Sequence, residues 1–92
     1  MPDVYTPGTE VAWNSQAHGV WRLKQGIVEA HIPAGESAYE ALRRLKICVP
    51  RSRIRIGSDV SSHDRYLVVV PDSKGRPWVY APRAAAVALV VK

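Results

Sequence analysis

Ser61, Ser62, His63 and Asp64 stand side by side and supply the residue types of a hydrolytic triad. Their spacing argues against that chemistry, because the base must lie between nucleophile and orienting acid in space, which neighbours in one loop cannot arrange. No catalytic residue is expected, and the chain reads as a non-enzyme. His18, His31, His63 and Cys48 fall in no recognised metal spacing, and the glycines form no phosphate-cradling cluster. Neither a metal nor a cofactor is expected.

Binding chemistry is better represented. Between Arg43 and Arg55, six of thirteen residues are basic and none is acidic. Arg43, Arg44 and Lys46 fall in the last turn of a predicted helix, where cations suit the negative end of the helix dipole. Arg51, Arg53 and Arg55 alternate with Ser52 and Ile54, which predicts one strand face with arginines repeating every ~6.6 Å. Two readings stay open for that face: an edge strand guarded by charge, or guanidinium groups that grip phosphate oxygens with two donors each. Lys74 and Arg76 lead into Trp78, whose ring, where exposed, suits base stacking. The expected nucleic-acid contacts are therefore Arg43, Arg44, Arg51, Arg53, Arg55, Lys74, Arg76 and Trp78. Such contacts hold a backbone without reading sequence, and their affinity falls steeply with salt. DNA and RNA are not distinguished. The alternative is a protein–protein interaction module, or an accessory subunit with an apolar groove and no nucleic-acid role.

Composition is compatible with both. The 92 residues carry a net charge of +5, which favours anionic partners. Cys48 is the only cysteine, so no internal disulfide is possible; a buried apolar role is expected for it, in a reducing, cytoplasmic setting. The N-terminus reads as no signal peptide, and no apolar run approaches membrane-spanning length, so no membrane partner is expected. Residues 1–8 read as an irregular lead-in and 9–92 as a single domain.

The elements that must position these residues are mostly extended. Thr9–Asn14 alternates as a first strand, with Val11 and Trp13 inward, and Ser15–Gly19 is a loop. Val20–Ile32 is the longest strand, with a bulge or sharp bend expected at Gly26 and Val28, Ala30 and Ile32 sharing one face. Ser37 and Glu40 fit a capping box for a helix over about 38–46, carrying Ala38, Ala41, Leu42 and Leu45 on its apolar stripe. Ile54 and Ile56 point inward from the arginine strand, and 57–64 is an exposed loop. Arg65–Val70, a turn at 71–76 and Pro77–Tyr80 form a hairpin. One helical turn near 82–85 precedes a closing strand that places Leu89 and Val91 in the core.

The Gly8-Thr-x-Val-x-Trp13 opening, the Lys24-Gln-Gly-Ile-Val28 step, the Tyr80-Ala-Pro-Arg83 break and the closing Val87-Ala-Leu89 resemble SH3-like small barrels of the KOW, Tudor and type II dihydrofolate reductase kind. That resemblance covers about residues 8–32 and 65–91. It implies a mainly β, five-stranded barrel with one short inserted helix. The KOW-like comparison implies nucleic-acid contact, and the Tudor-like one an aromatic cage using Trp78 and Tyr80. The reductases carry a Val-Gln-Ile-Tyr segment; Trp78-Val-Tyr80 lacks its glutamine, which removes the substrate-contacting group.

Overall fold

The computed structural model describes residues 4–17, 20–72 and 74–90. These form six strands, β1 (Glu10–Ala17), β2 (Val20–Ile32), β3 (Ile54–Arg55), β4 (Arg65–Val70), β5 (Trp78–Tyr80) and β6 (Ala88–Leu89). One α-helix, α1 (Ala38–Arg44), and two 3-10 turns, Arg51–Arg53 and Ala84–Ala86, complete the described structure. The strands make one mixed sheet in the order β3-β5-β4-β2-β1-β6, antiparallel except for the β3–β5 pair. The protein is mainly β, but the expected five-stranded closed barrel is corrected to six strands with two edges. The added strand β3 occupies the outer side of β5, and no pairing joins it to β6.

The sheet is nevertheless rolled. Trp13 on β1 and Tyr80 on β5 lie three strand gaps apart, about 14 Å in a flat sheet, yet their ring centroids are 5.6 Å apart. The concave side holds Val11, Trp13, Val28, Tyr66, Val68 and Val87. The convex side packs Ile32, Leu67, Val79 and Ile56 against Ala38, Ala41 and Leu42 of α1. β4 serves both, so all four residues Arg65–Val68 are buried.

Two expectations about β2 change. Gly26 is not the bulge; it sits in regular register opposite Val11. A β-carbon there would lie 2.7 Å from both Val68 Cγ1 and the Val69 carbonyl oxygen, so glycine is required for the close approach of β2 to β4. The bulge comes at Glu29, between the Val28–Val68 and Ala30–Leu67 pairs. It turns Ala30 and Ile32 to the convex core while Val28 stays in the concave one, so the three do not share a face.

The helix begins as expected, with the Glu40 amide donating to Ser37 Oγ at 3.1 Å. The reciprocal half of the capping box is replaced. The Glu40 carboxylate takes Arg43 Nη2 at 2.8 Å, and Asp59 caps the first turn: its carbonyl accepts Ala38 N–H at 2.8 Å and its Oδ1 accepts Tyr39 N–H at 3.0 Å. Leu45 ends the helix outside the stripe and is 40% exposed. Leu89 is 51% exposed because β6 is a two-residue edge, and Val87 takes its place in the core. Val91 lies outside the described residues. No helix among the described residues is long and apolar enough to cross a membrane.

Candidate nucleic-acid interface

The expected arginine strand does not form as one face. β5 contributes only Trp78–Tyr80, so the ladder reaches only Ile54 and Arg55. Upstream, the Arg53 amide donates to the Pro50 carbonyl at 2.8 Å and Arg51–Arg53 closes into a 3-10 turn. The basic block is thereby divided. Arg51 lines a groove beside α1 together with Arg43. Arg44 lines a separate, smaller pocket near His31. Arg53 and Arg55 gather on Trp78.

At Trp78 the geometry is specific. The guanidinium carbon of Arg53 is 4.4 Å from the ring centroid and that of Arg55 is 5.2 Å away. Such distances are within cation–π range, and a guanidinium held over a ring can keep edge donors available. Arg53 spends one donor internally, with Nη1 2.8 Å from Asp72 Oδ2. Arg55 is exposed and pairs with no carboxylate among the described residues. The row continues on the concave side of the sheet, where Trp78 and Tyr80 lie opposite Val70 and Val68. Lys24 Nζ sits 5.5 Å from the Tyr80 centroid, and Trp13 closes edge-on against that ring. The result is an alternation of cation and aromatic: Arg53, Trp78, Arg55, Tyr80, Lys24.

Asp72 organises this end of the sheet. Its Oδ1 accepts the backbone N–H of Lys74 at 2.7 Å and of Arg76 at 3.1 Å, shaping the turn that carries both exposed cations. The Lys74 amide above all, then the Arg76 amide and the Arg53 guanidinium, hold its carboxyl below the ordinary value. Lys24 and Asp72 are not among the expected contacts, and Tyr80 is expected only as an aromatic-cage residue. Lys24 and Tyr80 are 56 residues apart in the chain and meet only because the sheet rolls; for Asp72, its place four residues before Arg76 in a turn was the only available signal.

The residues of the serine–histidine loop make separate contacts. Ser61 Oγ accepts the His63 backbone N–H at 3.1 Å, while Asp64 turns to Ala34 N–H at 2.8 Å and lies 3.5 Å from His31 Nε2. His31 borders a pocket of about 200 Å³ whose one hydroxyl, Ser37, donates to Asp59 and accepts from the Glu40 amide. That hydroxyl is committed to capping. Cys48, expected to be buried, is exposed, because the chain after α1 runs along the surface. Among the described residues no group of three or more His, Cys, Asp or Glu could hold a metal ion. No protein-family model, curated protein or solved structure matches this chain.

Proposed function

We propose that this chain is a small basic binding module that holds a nucleic-acid backbone without strong sequence specificity. The observation that carries the reading is the stacking of Arg53 and Arg55 on one ring, Trp78, continued by Lys24 on Tyr80. Cations held over the rings offer phosphate donors in fixed positions, which grip a backbone without reading sequence. Lys74 and Arg76 extend the positive field at one end. The return of the last strand to β1, after a short helical turn, supports kinship with SH3-like small barrels in which α1 and β3 are insertions. An exposed lone thiol at Cys48 suits a reducing, cytoplasmic compartment.

The test is binding of labelled oligo-dT, single-stranded RNA and a DNA duplex, read by anisotropy at two salt concentrations. Arg55→Ser combined with Lys24→Ser removes two phosphate contacts. The salt slope for a single strand should then flatten by about 1.4, at about 0.7 per contact. Thermal stability should fall by no more than about 1–2 kcal/mol, because Arg55 is exposed, Lys24 is half-buried, and each loses only a cation–π contact. Absence of binding by the parent at low salt, or an unchanged slope in the double variant, overturns the reading.

A further inference from the structure

We propose that the groove beside α1 is a second docking site, for an acidic segment of a protein partner that carries one apolar anchor residue. The groove has a volume of about 730 Å³ and an aliphatic floor of Leu42, Ile47 and Ile54. Its rim carries Arg43, Lys46 and Arg51, and no carboxylate lines it. The nearest carboxylate on α1, Glu40, is tied to Arg43 Nη2 at 2.8 Å. Lys46 and Arg51 are exposed and make no ion pair among the described residues.

The backbone at Lys46 points the same way. The helix ends with the Ile47 amide on the Leu42 carbonyl and the Lys46 amide on the Arg43 carbonyl, both at 3.1 Å. This is a Schellman closure, whose left-handed residue is usually glycine. Here it is Lys46, at φ 56°, the one non-glycine residue with positive φ among those described. An L-residue is strained there, and strain retained at one position is a reason to look for function at it. The closure also folds Ile47 back toward Leu42, so the same turn lays the floor and raises the cation above it.

The chemistry selects the occupant. A phosphate backbone alone would leave the aliphatic floor uncovered, and a second copy of a chain with net charge +5 would bring cations to cations. A peptide satisfies both parts, with an apolar side chain on the floor and carboxylates on the rim. The site is independent of the nucleic-acid reading, since Ile54 faces the groove while the neighbouring Arg53 and Arg55 stack on Trp78.

Cys48 lines the groove and is the only thiol, so its alkylation by N-ethylmaleimide reports occupancy. The probe is a short acetylated peptide of Asp and Glu with a central Leu, at low salt. Saturating peptide should slow modification about tenfold or more, as expected when roughly nine-tenths of the sites are filled. Peptides with Gly at the centre, or Lys in place of the acids, should leave the rate unchanged. Arg51→Glu and Lys46→Gly should each abolish protection. Lys46→Gly relieves the backbone strain, so its Tm should rise by a few degrees, which separates loss of binding from loss of fold. Both variants should still bind oligo-dT. The proposal is overturned if no protection is seen at millimolar peptide, if the Gly-centred peptide protects equally, or if either variant keeps its protection. It is also overturned if oligo-dT, and not the peptide, shields Cys48.

Discussion

Replacing Gly26 with alanine tests how β2 is held against β4. The added β-carbon would sit 2.7 Å from Val68 Cγ1, 2.7 Å from the Val69 carbonyl oxygen and 2.9 Å from Val70 Cγ2. Non-bonded carbon contacts favour about 3.5–4.0 Å, so the strands must part by roughly 1 Å, and one obstacle is backbone that cannot rotate away. Overpacking of this kind costs about 1–3 kcal/mol; the entropy alanine saves in a strand returns ~0.5–1 kcal/mol. A net loss of about 1 kcal/mol lowers Tm by roughly 4–8 °C for a domain of this size. Gly75→Ala is the control: its φ is +76° but a β-carbon there meets nothing within 4 Å. Only backbone strain of about 1 kcal/mol is then added, and the unfolded-chain entropy that alanine saves offsets most of it. Because Gly26 precedes the β2–β4 pairs and follows Lys24, Gly26→Ala should also move Lys24 off Tyr80 and weaken oligonucleotide binding, whereas Gly75→Ala should not. Thermal melting and anisotropy on both variants decide it. Equal destabilisation by the two substitutions would refute the close-approach argument.

Two further outcomes are expected. Arg65 is 4% exposed, and its guanidinium donates to the Ser58 and Asp59 carbonyls, both at 2.7 Å, stitching the 57–64 loop to β4. Arg65→Met keeps the bulk but leaves the Ser58 carbonyl without this donor, a loss of about 1–3 kcal/mol that denaturant titration will measure. Asp59 is held below the ordinary carboxylate value by the Ser37 hydroxyl first and the Tyr39 amide second, and Asp72 by the Lys74 amide first. Lowered folded-state values mean stability that is complete above the unfolded value and lost as pH falls through the folded one. Melting temperature should therefore hold steady from neutrality to about pH 4 and fall below it, and Asp59→Asn should reduce that acid-side slope.

Local signals were legible and paired ones were not. Ser37 and Glu40 marked the helix start because their contact spans three residues, and the Arg65–Tyr80 hairpin showed in its apolar runs and turn residues. The second helix cap, Asp59, is invisible at that range, since its partners lie some twenty residues away. The bulge at Glu29 carries no glycine or proline, because it is set by which β4 residues face β2. The arginines at 51, 53 and 55 alternate as a strand would, but a strand needs a partner along its length, and β5 is too short to be one. The cation–aromatic row was half legible: Trp78 with its basic neighbours stood out, while Lys24 reaches Tyr80 only through the roll of the sheet.

The two cores lie back to back on β4. Leu67 belongs to one and Val68 to the other, and neither is exposed at all. Opening either core alone would strand one face of a strand whose opposite face is still packed, so partial opening gains little chain entropy for the apolar surface it exposes. The amides of β4 should thus exchange with solvent only through global unfolding, and the two cores should melt in one step. The groove beside α1 and the aromatic row on the far side of the sheet are in this sense joined in one cooperative unit, in which a ligand bound on either face would stabilise the strand that supports the other.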